Sequence, residues 1–398
     1  MRLLYVCLDR GIPIGGTKGA SIHVAELVRA FEEQGHEVGL VARSVADCDR
    51  ACRLYRARAS ARNRWFPGRT LRRDLSEVRS RGELARAVRE ATADFRPDAV
   101  YERYALFRSD GLETAQAAGL PFVLEVNAPL TQEERRFRSL ALRRTAERIE
   151  QQVWRGADLV IAPSHAVAQL VRGSGQPCVL VVPNAVDPER FAPRAGSGEL
   201  RRRLGIDDRF VVGFAGSLKP WHDLETLVDA VGALREDHAA TLLFLGDGPL
   251  RRTLEARGAS RGVRAVFVGC VPHDEVPDFL GATDVCFAGL TADPRLHYFS
   301  PLKALEYLAA GRPTVVAAAG ELRSLVEADV VLAYQPGDAA GLATSLARLA
   351  ADPELATTLA ERGRAYAAQR TWHRAARTIA DAIEELGASK RSFAGAEV

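Results

Sequence analysis

The chain has 398 residues, 47% hydrophobic and 26% charged, the composition of an ordinary soluble globular protein with room for two domains. No apolar run reaches the ~18 residues that a membrane span requires. The formal net charge of +3 is unevenly spread: residues 1–190 hold 30 basic against 24 acidic side chains, the remainder 24 against 27.

The first residues, RLLYVC (2–7), read as a buried strand, because polar sequence follows too soon for a secretory signal. Further strand runs fall at 37–42, 98–101, 121–126, 158–162 and 179–182, with amphipathic helical patterns at 20–34, 82–94, 132–155 and 165–172 between them. Continuous apolar strands divided by helices predict a parallel sheet covered on both faces. Within this half, 53–89 carries twelve arginines and three acids. It reads either as a solvated loop and helix or as a patch that draws an anionic acceptor or a membrane surface. Tyr55, Trp65 and Phe66 form no repeated stacking pattern, which argues against nucleic acid.

The stretch 182–199 (VPNAVDPERFAPRAGSGE) is rich in turn formers and reads as a boundary and hinge. The rhythm then resumes, with strands near 209–215, 241–245, 264–268, 283–287, 313–318 and 329–333, and a last helix near 372–387. The expected class is α/β, two doubly wound Rossmann-like domains facing across a cleft: 1–186, 187–371, then 372–398 as a helix that can pack back on the first domain, with a disordered tail. In such sheets ligands sit at the carboxyl ends of the strands. Six scattered cysteines (7, 48, 52, 178, 270, 286) suit apolar fillers in a reducing cytoplasm, and Cys48 and Cys52 lack the second pair a zinc site needs.

The most informative line is 297–316, HYFSPLKALEYLAAGRPTVV. Ser300 suits an N-cap, Pro301 the first helical position, and Gly311 with Pro313 a stop. Lys303 puts a positive charge where the helix dipole already disfavours one; a phosphate on the amides near 302–303 would relieve that. Glu306, one turn on, offers a carboxylate to a diol such as the ribose hydroxyls, unless the two form an i,i+3 surface pair. The chain has four lysines (18, 219, 303, 390) against 50 arginines, and three of the four precede helices in loops marked by Gly, Pro or Ser. A compact ammonium in such a loop suggests a phosphate.

Here the chain resembles the retaining GT-B glycosyltransferases of the family 4 type (glycosyl transferases group 1). SPLKALEYLAAGRPTVV is similar to that family's donor signature, in which the second glutamate of E-x7-E binds the nucleotide ribose. KGASIHVAELVRAFEEQGHEV (18–38), VPNAVDPERF (182–191), GFAGSLKPWHDLETLVDA (213–230), FLGDGPL (244–250) and VFVGCVPHDEVPDFLGATDV (266–285) follow in the family's order. The resemblance implies a transfer from a nucleotide-diphosphate sugar to an acceptor with retention. Glu306 would hold the ribose, and Gly19, Ser217, Ser300, Pro301, Leu302 and Lys303 the diphosphate. Val271, Gly246 and Gly248 would stand near the base. The family's arginine and lysine of the 213–230 motif are replaced by Ser217 and His222, so His222, Lys219 or Lys303 must supply the missing cation. The first glutamate of E-x7-E is replaced by Tyr298, beside His297, which leaves the donor sugar open. On the acceptor side Glu102, Arg103, Glu125 and Asn127 stand at strand ends; the histidine that the family often has near Asn127 is absent. The family needs no protein nucleophile, because the donor phosphate can take the acceptor's proton. No Asp-x-Asp loop stands ready for a divalent ion, so neither metal nor other cofactor is expected. The expected setting is cytoplasmic, with 53–89 available for contact with the inner membrane face; oligomeric state is not readable. The length and spacing of the 11–19 loop argue against a dinucleotide-binding oxidoreductase. An epimerase, a hydrolase or a non-catalytic nucleotide-sugar-binding protein on the same fold is the alternative.

Overall fold

A computed structural model describes all residues except 47–52, 59–67, 195, 208, 235–239, 299, 301 and 395–398, and not the side chains of 69 and 389–394. Cys48, Cys52, Trp65, Phe66 and Pro301, and the side chain of Lys390, therefore lie outside the described residues, as does part of the arginine-rich 53–89 stretch. The chain divides into two compact units, one built from Met1–Pro183 with the chain from His373 onward, the other from Asn184–Trp372.

The first unit holds a parallel sheet of seven strands: β1 (Arg2–Cys7), β2 (Glu37–Ala42), β3 (Arg53–Arg56), β4 (Ala99–Arg103), β5 (Phe122–Glu125), β6 (Leu159–Ala162) and β7 (Val179–Val181), in the order 3-2-1-4-5-6-7. β1, β4 and β5 are buried along almost their whole length, which is why they read as unbroken apolar runs rather than as an alternation. Register pairs Cys7 with Arg103 and Arg103 with Glu125, so these three side chains share one face of the sheet. The helix Gly19–Glu33 covers that face through Phe31, whose ring meets Tyr101 edge-on at 6.2 Å. The closing helix Trp372–Ala394 joins this unit, the Gln34 amide donating to the His373 carbonyl at 2.8 Å.

One local difference from the sequence pattern has a clear physical cause. The long helix expected over 132–155 is two helices, Leu130–Phe137 and Arg143–Gly156. Ser139 between them is left-handed at φ 67°, and the buried Asp74 carboxylate accepts from the amides of Ala141 (2.8 Å) and Leu142 (3.1 Å). Asp74 lies in a helix, Arg69–Arg79, so a contact distant in sequence fixes this break.

The second unit holds a parallel sheet of six strands: β8 (Phe210–Ala215), β9 (Ala240–Leu245), β10 (Arg264–Gly269), β11 (Val285–Ala288), β12 (Thr314–Ala317) and β13 (Leu332–Tyr334), in the order 10-9-8-11-12-13. Successive strands grow outward from β8 in one direction and from β11 in the other, so the topology switches between those two carboxyl ends. The helix Leu302–Ala309 belongs to this unit and turns Ala304, Leu305 and Leu308 into its core. Its fully buried Tyr307 ties the helix to the end of β8, accepting from the Ala215 amide at 2.8 Å and donating to the Ala215 carbonyl at 3.0 Å. That tie brings the helix start over the switch point.

Candidate active site

In the second unit, the loop after β8 turns at Gly216, whose φ of 142° suits a residue without Cβ. Gly246, at the end of β9, packs so tightly on it that a Cβ there would lie 2.2 Å from the Gly216 carbonyl oxygen. With both side chains missing, the strand ends approach closely enough to leave a floor for Lys303, whose Cε stands 3.1 Å from the place a Gly216 Cβ would take. Gly248 similarly abuts the Leu218 backbone. These glycines shape the floor. Val271 is half-buried against the core, and Ser217 is exposed.

Over that floor Lys303 Nζ lies 3.1 Å from Nδ1 and 3.0 Å from Nε2 of His222, and 5.0 Å above the Phe214 ring. Lys219 instead holds its ammonium 5.7 Å from the Trp221 ring. Burial pushes the Lys303 ammonium down to about 7, with the Glu306 charge opposing it. Burial and then the facing Lys303 charge hold the His222 imidazole well below its ordinary value, against a hydrogen bond with the Gly289 backbone. Asp223, left-handed at φ 53°, braces this loop: its carboxylate accepts from Thr226 Oγ1 (2.6 Å), Tyr334 Oη (2.7 Å) and the Gly337 amide (2.9 Å).

Lys303 and Glu306 do not form the surface pair. Glu306 Oε1 lies 3.1 Å from His273 Nε2, and His273 Nδ1 lies 3.2 Å from Nη1 of Arg190. Ser300 is held by the boundary segment: its hydroxyl accepts from the Asn184 amide at 3.2 Å. The Leu302 amide, expected to face a phosphate, donates to the Ser300 carbonyl at 3.0 Å, as the tight entry to the helix demands. His297 donates from Nε2 to the Thr291 carbonyl at 2.8 Å, and Tyr298 is buried. So Lys303, His222 and the glycines come together, Glu306 and Ser300 are held nearby in the chain by His273 and Asn184, and Lys219 and His297 are engaged with their own loops.

In the first unit, Glu125 gathers donors at the carboxyl end of β5. Tyr101 donates at 2.7 Å and Tyr5 at 3.2 Å, His23 Nε2 lies 3.0 Å away, and Arg103 and Asn127 also donate to it. Burial alone would raise this carboxyl, but His23 and Arg103 outweigh it and hold Glu125 well below the usual range. Arg103, Glu125 and Asn127, which the sequence put at strand ends, thus come together in one cluster. His23, Tyr5 and Tyr101 were not singled out there, because nothing in their own neighbourhoods announces a carboxylate that lies between 24 and 120 residues further along the chain. Glu102 stands apart from the group. One residue along the strand, it faces the opposite side of the sheet, where the Gly111 amide donates to it at 3.0 Å. Burial and the neighbouring Asp110 push its carboxyl up to about 8, so it is protonated at neutral pH and serves the packing of the helix Asp110–Ala118. Gly19 is the exposed first residue of its helix, and Lys18 is spent on the Gly11 carbonyl at 3.1 Å. Among the described residues no group of three or more His, Cys, Asp or Glu is placed to hold a metal ion, and no helix is long and apolar enough to cross a membrane.

Residues 17–190 match the profile described as Glycosyltransferase Family 4, and residues 209–352 that of Glycosyl transferases group 1. The chain is 35% identical over 199 residues to a 2-deoxystreptamine glucosyltransferase of Streptomyces kanamyceticus, covering 48% of this chain and 49% of that protein. It is 29% identical over 313 residues to a GDP-mannose-dependent alpha-mannosyltransferase of Mycobacterium tuberculosis, covering 77% of each. A D-inositol 3-phosphate glycosyltransferase of Salinispora arenicola matches at 32% over 61% of this chain and 58% of its own length, so the chain spans about half the length of the first relatives it matches. Among solved structures, HepE of Anabaena in complex with UDP-glucose superposes with a TM-score of 0.75 at 20% identity, covering 97% of this chain and 100% of that one. Sucrose-phosphate synthase of Thermosynechococcus elongatus gives 0.76 at 21%, covering 98% and 100%. At such identities the structures bear on the fold: two parallel sheets with helices, the GT-B arrangement.

Proposed function

The chain belongs to the glycosyltransferases of family 4 and group 1, and on that premise we propose that it transfers a sugar from a nucleotide-diphosphate sugar to an acceptor with retention of anomeric configuration and without a metal ion. One observation carries the reading: Lys303 and His222 face each other about 3 Å apart at a helix start above the sheet's switch point, while Glu306 is turned away to His273. Two bases so placed repel when both are charged, and an anion between or above them removes the conflict. A diphosphate is such an anion, and the helix start adds its own positive end. The relatives named for glucosyl and mannosyl transfer, and a structural neighbour crystallised with UDP-glucose, support a sugar nucleotide as the source of that diphosphate.

In this reading the anomeric C–O bond breaks and its electron pair goes to the leaving diphosphate, whose growing charge Lys303 and a protonated His222 stabilise. The acceptor oxygen bonds the anomeric carbon from the same face, and its proton passes to the departing phosphate. Glu306 accepts from the ribose hydroxyls. The Glu125 cluster lies at the carboxyl edge of the first unit's sheet, where an acceptor hydroxyl could meet Asn127 and His23. The buried arginine of that cluster favours a polar acceptor. An association of the arginine-rich 53–89 stretch with an anionic surface belongs to the same proposal.

Incubation with UDP-, GDP- and dTDP-linked hexoses and a panel of polyhydroxylated acceptors in the presence of a chelator, followed by NMR of the new anomeric centre, tests the whole. The expected product keeps the donor's anomeric configuration; inversion, or turnover only after divalent metal is restored, overturns it. Glu306→Ala should raise the dissociation constant of the accepted nucleotide about 10²-fold by calorimetry, since one charge-assisted interaction and its buried environment are lost. Unchanged affinity would remove the ribose role.

A further inference from the structure

Glu306 does not stand alone, and the groups behind it determine how it can bind. Its Oε1 is taken by His273 Nε2 at 3.1 Å, and the other ring nitrogen of His273 faces Nη1 of Arg190 at 3.2 Å. An arginine guanidinium has donors only and does not lose its charge in proteins. His273 Nδ1 must therefore accept, which leaves the proton of the neutral ring on Nε2, aimed at Glu306. Arg190 is kept in place by acids of its own surroundings, with Asp274 at 3.7 Å and Asp187 at 4.0 Å, and the Phe191 ring meets the imidazole edge-on at 5.4 Å. Arg190 and Phe191 come from the boundary segment, His273 from the turn after β10 and Glu306 from the helix Leu302–Ala309, so three separate pieces of chain meet in one line.

Resting on the reading of Glu306 as the pentose contact, we propose that Arg190 and His273 are positioning residues: Arg190 sets the tautomer of His273, which fills Oε1 of Glu306 and holds Oε2 alone toward the nucleotide's ribose hydroxyls. A carboxylate free to rotate would lose its orientation on binding; one pinned by a ring has already given it up. The relay should therefore govern discrimination between ribose and deoxyribose nucleotides and leave the reacting end of the donor alone. The relay is expected to act as uniform binding, equal in ground and transition states, so that its loss raises KM and leaves kcat nearly unchanged.

The probes are UDP and GDP, each beside its 2′,3′-dideoxy form, titrated calorimetrically into the full chain, using whichever base binds. Wild type should prefer the ribose form by about 10²-fold. His273→Phe, which keeps a ring against Phe191 but removes the donor, should cut that preference about tenfold and leave the dideoxy affinity unchanged. His273→Gln, whose amide nitrogen can reach the place of Nε2, should restore most of it. Arg190→Met should act like His273→Phe, and combining either with Glu306→Ala should add nothing further. With a turnover assay in hand, His273→Phe should raise donor KM and leave kcat within about twofold. A preference retained in His273→Phe overturns the relay. If Glu306→Ala itself keeps the ribose preference, the pentose contact fails with it, whereas loss in Glu306→Ala with retention in His273→Phe rejects the relay alone. A variant that fails to fold would lose affinity for the dideoxy form as well, which these titrations read directly.

Discussion

Lys303→Met is expected to lower turnover by two to three orders of magnitude and, in the same molecule, to raise the stability of the free protein at pH 6 by roughly 4 kcal/mol. The catalytic loss follows from removing a preorganised cation at the oxygen where charge accumulates. The gain in stability follows from linkage. Burial lowers the folded-state value of Lys303 to about 7, whereas an unfolded lysine titrates near 10.4. The resulting penalty is fully present below pH 7 and fades as pH rises toward 10.4, because there the folded form binds fewer protons than the unfolded one. The methionine variant should therefore melt above wild type at pH 6 and converge with it near pH 10. Binding shows the complementary dependence. An anion over Lys303 favours its charged form, so the nucleotide takes up a proton on binding above pH 7, and affinity falls by up to about tenfold per pH unit until the value in the complex is reached. Calorimetry in buffers of different ionisation enthalpy measures that proton directly; no uptake at pH 8, together with an unaltered melting curve, would show that Lys303 does not feel an anion.

The second large effect is expected in the first unit. Glu125→Gln removes the charge that Arg103 and His23 face and turns an amide NH2 toward groups that already donate, and should cost about 3–5 kcal/mol. Since the folded Glu125 titrates well below the ordinary carboxylate value near 4.3, its contribution is present above that value and is lost as pH falls below it. Urea midpoints of wild type and Glu125→Gln should lie far apart at pH 7 and draw together toward pH 3. Parallel midpoints across that range would mean that the cluster is held by packing rather than by the charge.

Both sites differ in how far they could be read from the chain alone. The helix Leu302–Ala309 announced itself through Ser300, Gly311 and the apolar stripe, and Lys303 and Glu306 stood out because the helix had no use for them. That Lys303 would meet His222, and Glu306 His273, depends on the tight contact of Gly216 with Gly246 and on the tether from Tyr307 to Ala215, which no local pattern encodes. In the first unit the strands were legible as apolar runs, yet the direction of each polar side chain at a strand end was not. Glu102 and Arg103 are neighbours on β4, and only the pleat decides that one enters the Glu125 cluster and the other the opposite layer. β3 and the helix Arg69–Arg79 escaped because their residues are mostly polar and their order rests on partners such as Asp94, which takes the Tyr55 hydroxyl at 2.6 Å.

The depressed ammonium in a chain of four lysines has a practical corollary. Only the unprotonated amine attacks an activated ester, and an amine titrating near 7 is unprotonated in about half of the molecules at neutral pH, against roughly one in 2,500 for an amine at 10.4. Among the lysines, Lys303 should accordingly be the first that sparing amounts of a small acylating reagent mark. A bound nucleotide would shield it, so that the extent of labelling becomes an occupancy gauge requiring no knowledge of the acceptor.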